Sequence, residues 1–178
     1  KAILEHGGAA KANVFTRFTL ALFGQVPWRA VPVIRVEAMF LPKWSLFHIF
    51  KVSYWSRTVM VPLKILAALK PKARNPREIG IPELFVIPAY EQRLYVTNPT
   101  GAWLGYLMVA LDYIFRPFES LIPKSIEKKA IGLAMEFIMD RLNGEDGLGG
   151  IFPAMANALM AFDSLGISDK QDEYIICR

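Results

Sequence analysis

Residues 41–63 read LPKWSLFHIFKVSYWSRTVMVPL (Leu41–Leu63). A proline-bounded loop passes through Trp44, Phe47, His48, Phe50, Tyr54 and Trp55 and turns into a helix carrying Arg57. A helix on a protein surface has one apolar stripe and one polar face. From Val52 to Leu69 the polar interruptions are Ser53, Ser56, Arg57, Thr58 and Lys64, so this segment is apolar on most sides and reads as buried. Its aromatic rings either pack a core, as large rings do wherever they occur, or line an apolar space. Residue types alone leave both readings open.

Working outward, Ala9–Val26 reads as a helix, with Val14, Phe15, Phe18, Leu20, Leu22 and Phe23 apolar over more than one face and Gly24 weakening its end. Pro27, Pro32 and Pro42 then exclude regular helix up to Phe47. The helix at Val52–Leu69 contains Pro62, which predicts a kink or an early break. Pro71, Pro76, Pro82 and Pro88 make the following stretch a long irregular connection, a kind usually functional or inserted. Trp103–Phe118 is the next helix, aliphatic and studded with Trp103, Tyr106, Tyr113, Phe115 and Phe118. Ser125–Leu142 has the clearest two-faced pattern. Ile126, Ala130, Leu133, Ala134, Phe137 and Ile138 oppose Glu127, Lys128, Glu136 and Asp140, and Ser125 is the expected N-cap. Asn143–Gly150 is a turn-forming tract, after which Pro153 opens a helix that runs to about Leu165, with Gly166 just past its end. No strand pattern of strength appears. The class is all-α.

Composition narrows the functions. Of 178 residues, 53% are hydrophobic and 21% charged, which is greasy for a water-soluble domain. Yet no uncharged apolar run reaches the roughly 20 residues needed to cross a bilayer. The longest, Gly101–Leu111, is cut by Asp112. Trp103–Phe118 therefore fits either a buried core helix or one dipping into a single leaflet, where Trp and Tyr favour the interface. The net charge of +5 is scattered and forms no arginine-rich stripe, so nucleic acid is not expected as a partner. The densest basic patch is Lys70, Lys72, Arg74 and Arg77, which is either a solvated loop or a contact for anionic headgroups. A single Cys177 excludes an internal disulfide framework and suits a reducing compartment. With Lys1 at its start and no basic-then-apolar leader, the chain is expected to be a piece of a longer protein without a signal peptide.

Few residues carry reactive chemistry. His6 and His48 lie far apart, and no Cys or His stands at ligand spacing, so no metal site is expected. No Walker loop, dinucleotide fingerprint or nucleophile elbow is present. Glu145 and Asp146, and Asp169, Asp172 and Glu173, sit among polar neighbours and read as solvated. What remains is an aromatic, water-excluding interior. Such surroundings suit carbocations, because π faces stabilise positive charge without attacking it.

Four segments, VFTRFTLALFGQVPW (Val14–Trp28), EAMFLPKW (Glu37–Trp44), SYWSRTVMVPL (Ser53–Leu63) and GGIFPAMANALMAF (Gly149–Phe162), together resemble the squalene–hopene cyclases. They fall in the family's order and spacing, and the resemblance covers essentially the whole chain. It implies an α/α barrel (toroid) of the terpene-cyclase type, with residues 1–178 supplying part of the inserted barrel of a two-domain enzyme. It also implies an isomerase-type reaction: squalene is cyclised to hopene or hopanol through a protonation-initiated carbocation cascade, with no cofactor. The family is monotopic in one leaflet, which implies a peripheral location on the cytoplasmic side of a bacterial membrane, squalene as lipid substrate, and allows a homodimer.

The resemblance further assigns residues. Trp55 matches the cavity tryptophan whose π face stabilises cationic intermediates, and Phe15 matches a cavity-lining phenylalanine. Ile151 and Pro153, with Phe152 between them, match the far end of the cavity. Val52 and Met60 fall where the entrance channel narrows. Trp103, Tyr106, Leu107, Tyr113 and Phe115 fall on the membrane-contacting helix. Three departures stand out. Phe152 replaces a glutamine that in some relatives helps to hold a water. Leu142 and Leu148 occupy the Gln and Trp places of the family's repeated turn motif. The D-x-D-D general-acid motif, which belongs to the other domain, is absent from these residues, so no catalytic acid is assigned within them and by themselves they are expected not to catalyse. Two alternatives stay open: a cyclase of another polyprenoid, and a non-catalytic isoprenoid-binding helical domain at the membrane.

Overall fold

Asn13 sets where the first long helix begins. Its side chain accepts from the Thr16 amide at 2.9 Å, satisfying one of the donors that the first turn leaves free. A computed structural model describes residues 1–45, 48–98, 101–144, 146–167 and 172–177. In chain order these form helices α1 (Ala2–Glu5), α2 (Val14–Leu22), α3 (Tyr54–Leu69), α4 (Trp103–Phe115) and α5 (Lys124–Met139), strands β1 (Leu142–Asn143) and β2 (Gly147–Leu148), and helices α6 (Phe152–Ser164) and α7 (Asp172–Cys177). Short 3-10 turns fill several connections, at Ala9–Lys11, Trp28–Ala30, Val36–Phe40, Ile49–Lys51, Pro82–Leu84 and Arg116–Leu121. The predominantly helical class expected from the sequence is what the structure has.

Several boundaries differ from the sequence reading, each for a local reason. The helix expected over 9–26 is α2 alone, because the Asn13 cap restarts the chain after a 3-10 turn. The α3 helix starts at Tyr54, not Val52, since Ser53 Oγ accepts from the Ser56 amide at 3.3 Å and so caps the first turn. It then runs through Pro62 to Leu69 without breaking. The α4 helix tightens into a 3-10 turn at Arg116, one residue before Pro117. Ser125 is not the N-cap of α5. Pro123 stands there without a side-chain cap bond, and Ser125 lies inside the first turn. The expected glycine-rich turn closes instead as a minimal antiparallel ladder, Leu142 opposite Leu148 and Asn143 opposite Gly147. The two leucines that depart from the family's turn motif are thus cross-strand partners, and Leu148 is fully buried. The start of α6 at Phe152–Pro153, and Gly166 following it at φ +74°, agree with the sequence reading.

The chain divides into two compact units, each built from two stretches of sequence: Lys1–Val33 with Lys70–Ser120, and Ile34–Leu69 with Leu121–Arg178. In the first, Phe18 and Trp28 meet edge to face at 5.3 Å, and Phe18, Ala21, Leu22, Val26, Ala30 and Val31 are buried. The proline-punctuated connection gains its order from side chains that bind its backbone. The buried Arg17 donates to the carbonyls of Ala30 and Tyr95, and Arg29 donates to that of Tyr90. Gln25 donates to the Ile79 carbonyl and accepts from the Ile81 amide. The Ala73 amide donates to Leu22 O at 2.8 Å, satisfying a carbonyl at the end of α2.

In the second unit α3 packs against both α5 and α6. The contact suits small residues: Ala154, Ala158 and Ala161 on α6 and Ala130 and Ala134 on α5 are fully buried, so helix backbones can approach closely. Val61, Ile65, Leu66, Ile138 and Phe162 fill the space between them. This core holds the end of α3 that carries Trp55.

Candidate functional site

Trp55 occupies the second position of α3 and leaves 56% of its surface exposed. Its ring meets that of Tyr54 edge to face at 5.4 Å. The turn that joins β2 to α6 comes alongside it. Gly149 has φ +70°, and a Cβ built there would lie 3.6 Å from Trp55 Cζ3 and 3.4 Å from Thr58 Oγ1. Glycine suits this turn because of its left-handed backbone; a Cβ there would reach the indole only at ordinary van der Waals distance. Ile151 follows as the N-cap of α6, with Pro153 in the first turn and Phe152 79% exposed. The second unit thus brings Trp55 together with the turn that leads into Ile151, Phe152 and Pro153. Phe15, on the first turn of α2, belongs to the first unit and is 54% exposed. Val52 is half-buried just ahead of α3, and Met60 is half-buried on it. The rings of Trp55 and Phe152 stand largely outside the core of the second unit.

Behind Trp55 lies a cluster that sequence reasoning missed. The Arg57 guanidinium stands 5.0 Å from the Phe50 ring centre and 5.5 Å from that of Tyr54. Arg141 stands 3.8 Å from the Phe137 ring and 5.8 Å from the Phe50 ring. Both cations rest on π faces, and Arg57 Nε is buried without a hydrogen-bond partner among the described residues. His48 stacks on Phe50 at 5.3 Å, and its Nδ1 accepts from the Phe50 amide at 3.2 Å, so the ring proton belongs on Nε2. No local sequence signal links residues 50, 57, 137 and 141; only the fold does. Two lysine and arginine side chains are displaced from their ordinary titration by burial. Burial lowers the Lys64 ammonium while Glu37 partly opposes it, and burial lowers Arg17 while Asp112 and Tyr95 oppose it.

The residues expected at the membrane are exposed together on α4: Trp103 at 76%, with Tyr106, Leu107, Tyr113 and Phe115. No helix among the described residues is long and apolar enough to cross a membrane. The basic residues Lys70, Lys72, Arg74 and Arg77, in the same unit, are all exposed. Of the acids read as solvated, Asp146 and Asp172 are exposed; Glu145, Asp169 and the side chain of Glu173 lie outside the described residues, as does Phe47.

Comparison with known proteins gives these features a context. Residues 1–178 match the family described as the squalene-hopene cyclase N-terminal domain. The squalene–hopene cyclase of Bradyrhizobium diazoefficiens is 52% identical over 175 residues, covering 98% of this chain and 26% of that protein. A probable squalene–hopene cyclase of Sinorhizobium fredii is 48% identical over 179 residues, covering 100% of this chain and 28% of the relative. The squalene–hopene cyclase of Zymomonas mobilis is 47% identical over 179 residues, with coverage of 99% and 26%. The chain spans about a quarter of the length of these curated relatives.

Proposed function

The chain belongs to the squalene–hopene cyclase family through its N-terminal domain, and from that premise we propose that the intact protein cyclises squalene to hopene and hopanol. Residues 1–178 form part of the inserted α/α barrel, and the general acid comes from a D-x-D-D motif in the other domain. The observation that carries this reading is Trp55. It is a large indole held out of the core and beside the Gly149 turn, in a chain 52% identical to a named cyclase. A π face in a dry cavity stabilises a passing cation by about 2 kcal/mol and offers it no lone pair to attack. Trp55 thus steadies the early cations, and Phe15 acts as a cavity-lining phenylalanine. Ile151, Phe152 and Pro153 shape the end where the last cation loses a proton or takes up water. With a phenyl ring at Phe152, other groups orient that proton acceptor. Val52 and Met60 narrow the entrance channel.

The protein sits peripherally on one leaflet, on the cytoplasmic face. The α4 helix enters the lipid and the Lys70–Arg77 loop faces anionic headgroups, in keeping with the exposed apolar surface of α4 and the absence of a spanning helix among the described residues. The test is Trp55→Ala in the intact protein with squalene as substrate. Lower turnover or prematurely terminated rings are expected, with the fold retained because the ring is already exposed. Wild-type turnover with an unchanged product profile would remove Trp55 from the cavity, whereas squalene binding without any turnover by the unaltered protein would make lipid binding without catalysis the better reading.

A further inference from the structure

Helix α4 inverts the usual arrangement of a helix on its protein. Trp103, Tyr106, Leu107, Tyr113, Ile114 and Phe115 are exposed, while its buried side chain, among the described residues, is Asp112. Both carboxylate oxygens are engaged. Oδ1 accepts from the Val33 amide, and Oδ2 accepts from Arg116 Nη2 at 2.6 Å. Arg116 reaches on to the Arg29 and Val31 carbonyls, at 3.1 Å each. One ion pair therefore ties the C-terminal part of α4 to residues 29–33.

From this geometry we infer that Asp112 and Arg116 form a polar clasp that positions α4 on residues 29–33 while its apolar side is in lipid. The inference rests on the membrane reading of α4 given above. Its physical basis is the choice of solvent. In water, an apolar helix is held to its protein by burying apolar surface. In lipid that drive vanishes, because acyl chains are as apolar as the residues they would replace. A hydrogen-bonded ion pair behaves in the opposite way, since its attraction grows as the surrounding dielectric falls. A helix whose apolar side chains are committed to lipid thus has to be held by polar contacts, and α4 is. The aspartate that interrupts the apolar run in the sequence is the anchor. It accepts from one amide and one guanidinium, and that guanidinium donates in turn to two backbone carbonyls, so the buried carboxylate has its counter-charge. Asp112 and Arg116 are positioning residues and touch no reacting atom.

Amide hydrogen exchange of the intact protein, in detergent micelles and on phosphatidylcholine vesicles, tests the clasp. Asp112→Ala is expected to speed exchange of the Val33 amide and across α4 at least about tenfold in both settings, while α3 and α6 exchange as in the wild type. Arg116→Ala is expected to loosen α4 as well but to affect Val33 less, because Oδ1 remains as its acceptor. Wild-type exchange rates across α4 in Asp112→Ala would overturn the inference. If that variant does not fold, Arg116→Ala decides in the same way, and unchanged α4 exchange in it overturns the clasp. Failure of the wild type to sediment with the vesicles would instead strike the membrane reading, and the micelle comparison would still decide the clasp.

Discussion

The Lys64 ammonium lies inside α3 with a hydrogen bond to the Arg35 carbonyl at 3.2 Å and with Glu37 as its opposing charge. Glu37 is also paired to Arg35 at 3.1 Å, and its attraction for Lys64 is the smaller effect beside burial. Burial lowers the Lys64 pKa from 10.5, which means that the native state binds this proton less readily than the unfolded chain does. The charged form therefore opposes folding. That cost is present in full below the folded pKa and fades as pH rises from there to 10.5. Lys64→Met keeps the aliphatic stem and removes the charge. It is expected to stabilise the intact protein by on the order of 1 kcal/mol at neutral pH, with the gain shrinking as the pH approaches 10.5. Thermal unfolding across a pH series measures this, and a loss of stability at neutral pH would mean that the Arg35 hydrogen bond outweighs the buried charge. Trp55 is the opposite kind of residue. It is exposed and adds little to folding, so its substitution separates activity from stability where that of Lys64 cannot. From the sequence, Lys64 was one polar interruption in an apolar run. The cost of burying it became legible only when the 3-10 turn at Val36–Phe40 was placed beside α3.

Among the elements, α4 has the plainest consequence. A helix with exposed Trp103, Tyr106, Leu107 and Phe115 has the surface of a leaflet-inserted segment. Tyr106→Glu in the intact protein is expected to weaken sedimentation with phosphatidylcholine vesicles by about tenfold or more, since a carboxylate resists the hydrocarbon. Its effect on thermal stability should stay within roughly 0.5 kcal/mol, because position 106 faces no core. Undiminished vesicle binding would mean that α4 does not enter the lipid. The elements also show what apolar pattern can and cannot give. The existence of α2, α3, α4, α5 and α6 was legible because each carries an apolar run bounded by proline, glycine or a capping residue. The starts of α2 and α3 were not, because single hydrogen bonds at Asn13 and Ser53 fix them, whereas the bounds of α6 were. The Leu142–Leu148 ladder was invisible, since two-residue strands carry no period. The clasp was half visible. Asp112 stood out as the charge that breaks an apolar helix, but Val33 lies far from it in sequence and nothing local predicts the pairing.

At the scale of the whole molecule, the chain carries two halves of a chemistry unequally. It provides exposed aromatic rings, a glycine turn beside Trp55 and an apolar helix, all of which suit the handling of an isoprenoid. Among the described residues it provides no buried acid free to start a cyclisation. Asp112 is the buried carboxylate among the described residues, and both of its oxygens are committed to Val33 and Arg116. Asp146 and Asp172 are exposed to water, where a strong acid would be levelled and a carbocation quenched. Alkene protonation needs a carboxylic acid kept dry and aimed at the double bond, and D-x-D-D does not occur in these 178 residues. The residues match about a quarter of their relatives' length, so the acid is expected from outside them. Incubated with squalene, residues 1–178 alone should therefore yield no cyclic product by gas chromatography–mass spectrometry, while the intact protein yields pentacyclic triterpenes. Adding back the remainder of the protein as a separate chain should restore turnover only if the two pieces reassemble, which makes product formation a direct assay of their association. Hopene from residues 1–178 by themselves would place a general acid among them, and Asp112 released from its clasp would be the first residue to substitute.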